Sequence, residues 1–361
     1  MAESQLEKIL NQNDFSESDL ILLLQSQGED RTRLFTKSAQ IKEAFVENKV
    51  YLRGLIEMSN TCSKDCFYCG IRKSNKNVIR YNLSDEEIYQ AAQFAYASHY
   101  GSIVIQSGEL ISPAFTNRIE RILLGIQERT EGKLRITLSC GEQNFKTYER
   151  WKNAGASRYL LRIETSNREL YAKLHPQNNT HSYEKRLEAL ASLKQSGFQV
   201  GTGVMIGLPF QTFQDLAQDL MWMKNLEIDM VGMGPYLEHP DTPLYPYKDQ
   251  LLPLAERFDL SLKMISILRI LMKNINIAAS TAMQSIDPMG REKAIKVGAN
   301  VFMPNITPGT YRDHYKLYEN KPCTDENAED CSNCIEVRMA IAGHTIAYDE
   351  WGDSAHYTGL K

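Results

Sequence analysis

Short apolar stretches alternate with longer amphipathic ones from residue 50 onward. Eight stretches have the length and composition of strands, at residues 51–58, 102–107, 134–139, 159–165, 199–207, 229–235, 275–281 and 300–305. Between them, stretches such as 85–99, 116–130 and 183–197 place apolar residues at helical spacing. Strand followed by helix, repeated over about 260 residues, predicts an α/β fold of the TIM type, a (β/α)8 barrel. A doubly wound open sheet is the alternative.

The residues ahead of the barrel are charged and helical in pattern. Ser16 precedes an acidic turn and a leucine-rich run, which predicts a capped helix start, and a second helix is expected over about residues 34–49. We therefore predict three parts: an N-terminal helical extension (1–49), the barrel (50–310) and a C-terminal segment (311–361).

Three cysteines, Cys62, Cys66 and Cys69, directly follow the first predicted strand. The active site of a (β/α)8 barrel lies at the carboxyl ends of its strands, so the group is expected there. Thiolates suit iron–sulfur clusters or zinc, and a closed site of either kind needs four protein ligands. With three, one iron of a four-iron cluster keeps a position for another ligand. A zinc knuckle with a distant fourth ligand, or buried free cysteines, is the alternative.

The C-x3-C-x2-C spacing, with an aromatic pair in the second gap, resembles the signature of the radical S-adenosylmethionine (SAM) superfamily. That resemblance implies a radical SAM enzyme with a [4Fe-4S] cluster whose open iron is chelated by SAM. Residues 106–109 resemble the superfamily's glycine-glycine-glutamate segment with a serine as first member, and residues 203–209 resemble its adenine-flanking segment. The implied SAM-binding residues are Tyr68, Ser107, Gly108, Glu109, Ser139, Glu164, Arg186 and Met205.

Two charged residues, Arg162 and Glu164, lie two apart in the fourth predicted strand, so their side chains are expected on one face. Unpaired charge inside a barrel is costly, and an ion pair alone would satisfy both residues. The alternative assigns Glu164 to the SAM ribose and Arg162 to an anionic group of the substrate. Arg186 opens the next helical stretch, and its planar guanidinium suits the SAM carboxylate. We interpret Cys140 as a small buried apolar residue.

The ends of the predicted strands past residue 228 place further candidate substrate-binding residues around Arg162. As a substrate pocket we predict Arg162, Met230, Ser280, Thr281, Met303 and Tyr315. Methionines and tyrosines at such positions can equally close the barrel as core packing.

A second group of cysteines, Cys323, Cys331 and Cys334, lies near the C-terminus in a segment rich in Asp and Glu. It predicts a second, accessory iron–sulfur cluster, [2Fe-2S] or [4Fe-4S]. Zinc with His344 or a carboxylate as fourth ligand is the alternative.

Composition and charge exclude several classes of protein. The 361 residues carry a net charge of −4 and a pI near 6.0, so the chain has no electrostatic footprint for nucleic acid. No secretory signal and no apolar stretch long enough for a membrane span is present. Six of the seven cysteines fall in the two groups, which indicates metal ligands in a reducing compartment. We predict a cytoplasmic protein that binds neither nucleic acid nor membranes.

Long runs of the chain, from about residue 53 to residue 334, are similar to the HydE family of hydrogenase maturation proteins. They include 56–81, 154–167, 229–244 and 298–318. The resemblance implies reductive cleavage of SAM to a 5′-deoxyadenosyl radical, in assembly of the diiron subcluster of the [FeFe]-hydrogenase H-cluster. It also implies an iron-complex substrate from HydG, delivery toward HydF, and an electron donor.

Other functions stay open at this point. An amino-acid mutase of the methylornithine synthase type shares the barrel and the first cysteine group. Biotin synthase needs several strand cysteines for its second cluster, whereas this chain offers only Cys140. A metal-binding scaffold without catalysis is the alternative from another class.

Overall fold

A computed structural model describes residues 5–322 and 328–359, with the side chains of 328–334 left out. The N-terminal extension forms three helices, α1 (Gln5–Leu10), α2 (Glu17–Gln25) and α3 (Gly28–Val46). Ser16 caps α2 as predicted: its Oγ accepts from the Asp19 amide at 3.2 Å, and its own amide donates to the Asp19 carboxylate at 2.9 Å. The helix predicted over about residues 34–49 corresponds to α3. It ends earlier than expected, because Glu47 adopts a positive φ of 59° that breaks the helix.

The extension packs on the outside of the barrel, where α3 caps another helix. Ser38 donates from its Oγ to the carbonyl of Val297 at 2.5 Å, and Lys42 donates to the carbonyl of Ile295 at 2.8 Å. Both carbonyls lie in the last turn of α12 (Gly290–Val297), whose terminal carbonyls have no partner within the helix.

The strands and the remaining helices alternate through the rest of the chain. The eight main strands are β1 (Lys49–Ser59), β2 (Ser102–Ser107), β3 (Arg135–Ser139), β4 (Ala156–Leu160), β5 (Gln199–Thr202), β7 (Met230–Val231), β9 (Asn276–Ile277) and β10 (Val301–Phe302). A short parallel pair, β6 (Met205–Ile206) and β8 (Gly234–Pro235), extends from them. The helices between strands, besides α12, are α4 (Asp85–Ala97), α5 (Pro113–Arg129), α6 (Phe145–Asn153), α7 (Arg168–Leu174), α8 (Tyr183–Gln195), α9 (Phe213–Asn225), a 3-10 turn (Tyr245–Gln250), α10 (Leu254–Leu271) and α11 (Thr281–Ile286). The C-terminal segment contributes α13 (Gly309–Arg312), α14 (Ala328–Ile341), β11 (Thr345–Ile346) and α15 (Ala355–Thr358).

All eight main strands run parallel and meet edge to edge. Their order is β10-β1-β2-β3-β4-β5-β7-β9, and a parallel bridge between Ala278 and Val301 joins the two ends. The bridge is backed by a hydrogen bond from the Asn300 amide to the Ile277 carbonyl at 2.9 Å. The predicted (β/α)8 barrel is therefore confirmed, and the open sheet is excluded. Among the described residues, no helix is both long enough and apolar enough to span a bilayer.

Several predicted strands are shorter than the sequence pattern suggests, and the fourth and the fifth bear on the site. The fourth, expected over 159–165, ends at Leu160, and the backbone beyond it turns at Glu164, which has a positive φ of 69°. The fifth, expected over 199–207, splits into β5 and β6 around Gly203, where a Cβ would lie 1.9 Å from the carbonyl oxygen of Gly232. Backbone pairing continues past both breaks, since the Glu164 amide donates to the Gly203 carbonyl at 3.0 Å.

The amino end of the barrel is covered by the C-terminal segment. Strand β11 pairs in parallel with the start of β1, and the chain then passes beneath the barrel. There Arg158 donates to the carboxylate of Asp353 at 2.6 Å, and Arg53 donates to the carbonyl of Gly352 at 3.2 Å. This cover leaves the carboxyl ends of the strands as the open end.

Candidate active site

The loop between β1 and α4 carries the first cysteine group at the carboxyl end of the barrel. Cys62, Cys66 and Cys69 are all partly exposed. The Sγ of Cys62 lies 3.4 Å from the amide nitrogen of Lys64 and 3.3 Å from that of Glu109, so two N–H groups point at this sulfur. Burial raises the pKa of each thiol, that of Cys66 to about 12, and a bound metal favours the thiolate form. Among the described residues, no three His, Cys, Asp or Glu side chains converge as ligands of a single metal ion.

Four buried charged side chains form one network beside this loop. The Nζ of Lys64 lies 3.0 Å from Glu109 Oε1 and 2.9 Å from Glu142 Oε2. Arg186 reaches the same two acids, with its Nε 2.5 Å from Glu142 Oε1 and its Nη2 3.7 Å from Glu109 Oε2. Two cations and two carboxylates therefore balance in a place where an unpaired charge would be unfavourable. Burial raises the pKa of Glu109, whereas for Glu142 Arg186 and Lys64 together outweigh burial and lower the pKa.

Half of this network was not predicted from the sequence. Glu109 and Arg186 were expected at the site, but Lys64 and Glu142 were not singled out. One signal was available: a Gly-Glu pair follows both β2 and β3, as Gly108-Glu109 and Gly141-Glu142. Because neighbouring parallel strands end at the same edge of the sheet, the repeat places two carboxylates side by side.

Two glycines allow close backbone approach at the site, Gly108 to the cysteine loop and Gly141 to the side chain of Glu109. A Cβ on Gly108 would lie 2.3 Å from the Thr61 carbonyl oxygen and 3.0 Å from the Cβ of Cys62. Gly141 has a positive φ of 77°, and a Cβ there would lie 2.1 Å from the Cγ of Glu109. Any side chain at either position would push the loop or the carboxylate away.

The fourth strand's charged pair lies in the turned backbone that follows β4. The Nη2 of Arg162 is 2.9 Å from Glu164 Oε2 and also 2.9 Å from the carbonyl oxygen of Val204. Arg186 donates to the backbone carbonyl of Arg162 at 2.7 Å, which ties this pair to the charged network. The predicted ion pair is present, but the two side chains meet through the turn at Glu164 rather than through strand alternation. Burial raises the pKa of Glu164 in spite of Arg162.

The predicted adenine-side residues lie in a small apolar cluster. Tyr68 and Met205 pack there with Leu170, Leu208 and Tyr236. A hydrogen bond also orients the ring of Tyr68, because its hydroxyl lies 3.3 Å from His175 Nε2. His175 is in turn held by its Nδ1, which lies 2.9 Å from the Tyr171 carbonyl oxygen.

The two serines predicted at the site lie at strand ends. Ser107 is buried, and its hydroxyl donates to the carbonyl of Gly108 at 2.8 Å. Ser139 is the last residue of β3 and is partly exposed.

The predicted substrate residues lie at two depths in the barrel. Ser280 caps α11, in which Thr281 is the first residue, and Met303 directly follows β10, so these lie at adjacent strand ends. Tyr315 is buried in the C-terminal segment. Met230 was expected at a strand end, and this is wrong: it begins β7, and its sulfur accepts from Arg53 Nη1 at 3.2 Å deep in the barrel.

The second cysteine group lies largely outside the described residues. Cys323 and the side chains of Cys331 and Cys334 are not part of the described structure, so the accessory cluster stays a prediction. His344, the alternative zinc ligand, is partly exposed, and its Nδ1 lies 2.9 Å from the Ala342 carbonyl oxygen.

The residues around the cysteine loop fit a four-iron cluster that leaves one iron open to SAM. Three cysteines share one loop, two backbone amides point at a sulfur, and a glycine admits close approach of the neighbouring strand end. The balanced network offers both a carboxylate and a guanidinium, the partners that an amino group and a carboxylate on one ligand require.

Comparison with known proteins agrees with this geometry. Residues 56–223 match the Radical SAM superfamily. The chain is 42% identical over 319 residues to the [FeFe] hydrogenase maturase subunit HydE of Thermotoga maritima, covering 88% of each chain. It is 28% identical over 297 residues to the 3-methylornithine synthase of Methanosarcina acetivorans, covering 82% of this chain and 81% of that one.

The fold is also similar to that of a solved structure from the same group of relatives. The crystal structure of methylornithine synthase (PylB) superposes with a TM-score of 0.79 at 24% identity, over 96% of this chain and 98% of that one. At that identity the likeness concerns the fold, whereas the likeness to HydE extends along the sequence as well. The chain is therefore a radical SAM enzyme and belongs to the radical SAM superfamily, in the family of the hydrogenase maturase HydE.

Proposed function

We propose that this protein cleaves SAM reductively and acts in assembly of the diiron subcluster of the [FeFe]-hydrogenase H-cluster. The observation that carries the proposal is the three-cysteine loop beside a balanced, buried charge network, at the open end of a barrel related to HydE by 42% identity. In this superfamily the chemistry supplied at such a loop is one-electron cleavage of SAM to methionine and a 5′-deoxyadenosyl radical.

The residues around the loop divide the binding of SAM among them. Cys62, Cys66 and Cys69 would hold a [4Fe-4S] cluster, and Arg186, with Glu109 beside it, would hold the carboxylate and amino group of SAM. Ser107, Gly108 and Ser139 lie at neighbouring strand ends on the same side. Tyr68 and Met205 would contact adenine in their apolar cluster, and Glu164 would accept from the ribose.

The substrate would lie toward the barrel interior. Arg162 is a cation of this region, and its side chain remains 31% exposed although it pairs with Glu164, so it can meet an anionic ligand. Ser280, Thr281, Met303 and Tyr315 complete the proposed pocket. By likeness to HydE, the substrate would be an iron complex from HydG and the product would pass toward HydF, with a separate electron donor.

An enclosed site suits this chemistry. A primary carbon radical abstracts hydrogen from most C–H bonds, so it must be generated against a fixed target and away from the C–H bonds of other groups. The C-terminal cover closes the amino end of the barrel, through the contacts of Arg158 with Asp353 and of Arg53 with Gly352.

The test is in vitro activation of an apo-[FeFe]-hydrogenase with purified maturation proteins. Activation should require this protein, and adding it back should restore hydrogen evolution. Activation that proceeds fully in its absence would reject the maturation role while leaving SAM cleavage untouched.

A second candidate is an amino-acid mutase, favoured by the likeness to 3-methylornithine synthase. Reduced protein incubated with SAM and lysine would then produce methylornithine. We expect 5′-deoxyadenosine without that product. A biotin-synthase type of sulfur chemistry is disfavoured, because its second cluster needs several strand cysteines and this chain offers only Cys140, which is buried.

A further inference from the structure

The side chain of Arg80 folds back onto the cysteine loop and binds four backbone carbonyls. Its Nη1 donates to the carbonyl oxygens of Asn60 at 2.6 Å and Ile71 at 2.7 Å. Its Nη2 donates to those of Arg72 at 2.6 Å and Asn75 at 3.3 Å. A guanidinium has two N–H groups on each terminal nitrogen, so all four are used.

These carbonyls come from both ends of the loop. Asn60 precedes Cys62 by two residues, and Ile71 follows Cys69 by two. One rigid side chain therefore sets the distance between the entry and the exit of the segment that carries the three cysteines. A flexible ammonium cannot make the same contacts, because it has three donors around a single nitrogen.

The Asn60 side chain extends the same arrangement. Its Nδ2 donates to the Ile79 carbonyl at 2.8 Å and the His314 carbonyl at 2.6 Å, while its Oδ1 accepts from the Tyr81 amide at 2.9 Å. The two ends of the loop and the residues on either side of Arg80 are thus joined into one unit.

The positive charge of Arg80 is not neutralised by these contacts. All four acceptors are neutral carbonyls, and within the described ranges no carboxylate pairs with it. Arg72, on the same loop, differs because its Nε lies 2.9 Å from Asp65 Oδ1. Arg80 is also partly buried, so water and salt screen its charge less than that of an exposed lysine.

We propose that Arg80 is a positioning residue for the cluster: it joins the two ends of the cysteine loop and supplies an unpaired positive charge that favours the reduced state. The reduced form of a cluster carries one more negative charge, so a nearby cation raises the reduction potential, which also depends on hydrogen bonding and exposure. This inference rests on the cluster site of the proposed function.

The test compares three variants of the full chain, each reconstituted without oxygen: Arg80→Gln, Arg80→Lys and Lys73→Gln. Lys73 is exposed on the same loop, so its replacement removes the same charge without breaking the carbonyl contacts. The readouts are the reduction potential, followed by electron paramagnetic resonance during a redox titration, and the rate of iron loss to a chelator.

We expect Arg80→Gln to lower the reduced-to-oxidised ratio at a fixed potential about tenfold, which is about 59 mV for one electron. It should also lose iron faster. Arg80→Lys should keep the native potential but lose iron faster, and Lys73→Gln should match the native protein in both readouts. If Arg80→Gln retains no iron, the rate of iron loss from Arg80→Lys tests the proposal instead. Faster iron loss than in the native protein would support the proposal, and native iron retention would overturn it.

Native potential and native iron retention in Arg80→Gln would overturn the proposal. An equal potential shift in Lys73→Gln would overturn it as well, because the effect would then belong to surface charge in general. Absence of a SAM-responsive cluster in the native protein is a different result, which rejects the proposed function itself.

Discussion

Arg186 and Glu142 are joined by a contact of 2.5 Å between Nε and Oε1, which connects the start of α8 to the loop after β3. Both side chains are about 10% exposed, and both belong to the network with Lys64 and Glu109. Glu142 therefore positions Arg186, and the Arg162 carbonyl oxygen holds its Nη1. The network sets the direction of the guanidinium before any ligand arrives.

Replacing Glu142 by Gln should weaken SAM binding. The change leaves Lys64 and Arg186 with one fewer carboxylate in a buried place, which is strongly unfavourable, and lets Arg186 turn. We expect the KM for SAM to rise about tenfold or more, equivalent to about 1.4 kcal/mol, measured as 5′-deoxyadenosine formation against SAM concentration. The matched control is Glu120→Gln, which breaks the more exposed pair of Glu120 with Arg150 and should leave the KM unchanged. An unchanged KM in Glu142→Gln would mean that the network does not position Arg186.

Replacing Gly108 by Ala should disturb the cysteine loop. The new Cβ would lie 2.3 Å from the backbone oxygen of Thr61. Because the clashing atom belongs to the backbone, no side-chain rotation can relieve the clash. We expect a lower iron content after anaerobic reconstitution and a corresponding loss of SAM cleavage. Gly309→Ala is the control, since a Cβ there meets nothing within 4 Å. Full iron loading of Gly108→Ala would show that the loop can move aside.

Replacing Cys62, Cys66 and Cys69 together by Ala should abolish reductive SAM cleavage, because three thiolates on one loop are the ligands of the proposed cluster. The measurement is 5′-deoxyadenosine formed by anaerobically reconstituted, reduced protein. Cys140→Ala provides the control with a buried cysteine outside the loop and should retain cleavage. Product formation by the triple variant would reject the site.

Replacing Cys323, Cys331 and Cys334 together should remove iron but spare SAM cleavage, because an accessory site in the C-terminal segment does not hold SAM. Iron per chain and the visible absorbance report the first effect, and 5′-deoxyadenosine the second. Complete loss of cleavage in a folded variant would contradict an accessory role for that group.

Asp219 should make the stability of the protein depend on pH. Burial raises its pKa from 3.8 to about 7, although its Oδ1 accepts from the Ser166 amide at 2.5 Å and from the Ser166 hydroxyl at 2.6 Å. Because the folded state then binds this proton more tightly than the unfolded chain does, the contribution is fully present below about pH 4 and is lost as the pH rises to about 7. Asp219→Asn should flatten this part of the profile of unfolding free energy against pH, measured by urea denaturation. Asp14→Asn, with a side chain 95% exposed, should leave the profile as it is, and an unaltered profile in Asp219→Asn would contradict the assignment.

Much of the architecture was open to prediction because it depends on neighbours in the chain. Apolar runs and amphipathic stretches reported the strands and helices, and the order of these elements was enough to predict the barrel. The Ser16 cap was also predictable, since its partner Asp19 is only three residues away. The cysteine spacing indicated the chemistry for the same reason: all three ligands lie within eight consecutive residues.

What the sequence by itself determined is thus the order of the elements, the end of the barrel that carries chemistry, and the loop that carries the thiols. The tertiary structure alone decided which distant charges meet, as when Lys64 and Arg186 share Glu109 and Glu142. It also decided that β4 ends at Leu160 and that Met230 lies deep in the barrel. The physical reason is that spacing encodes contacts a few residues apart, whereas contacts across the barrel depend on strand register and on backbone turns such as that at Glu164.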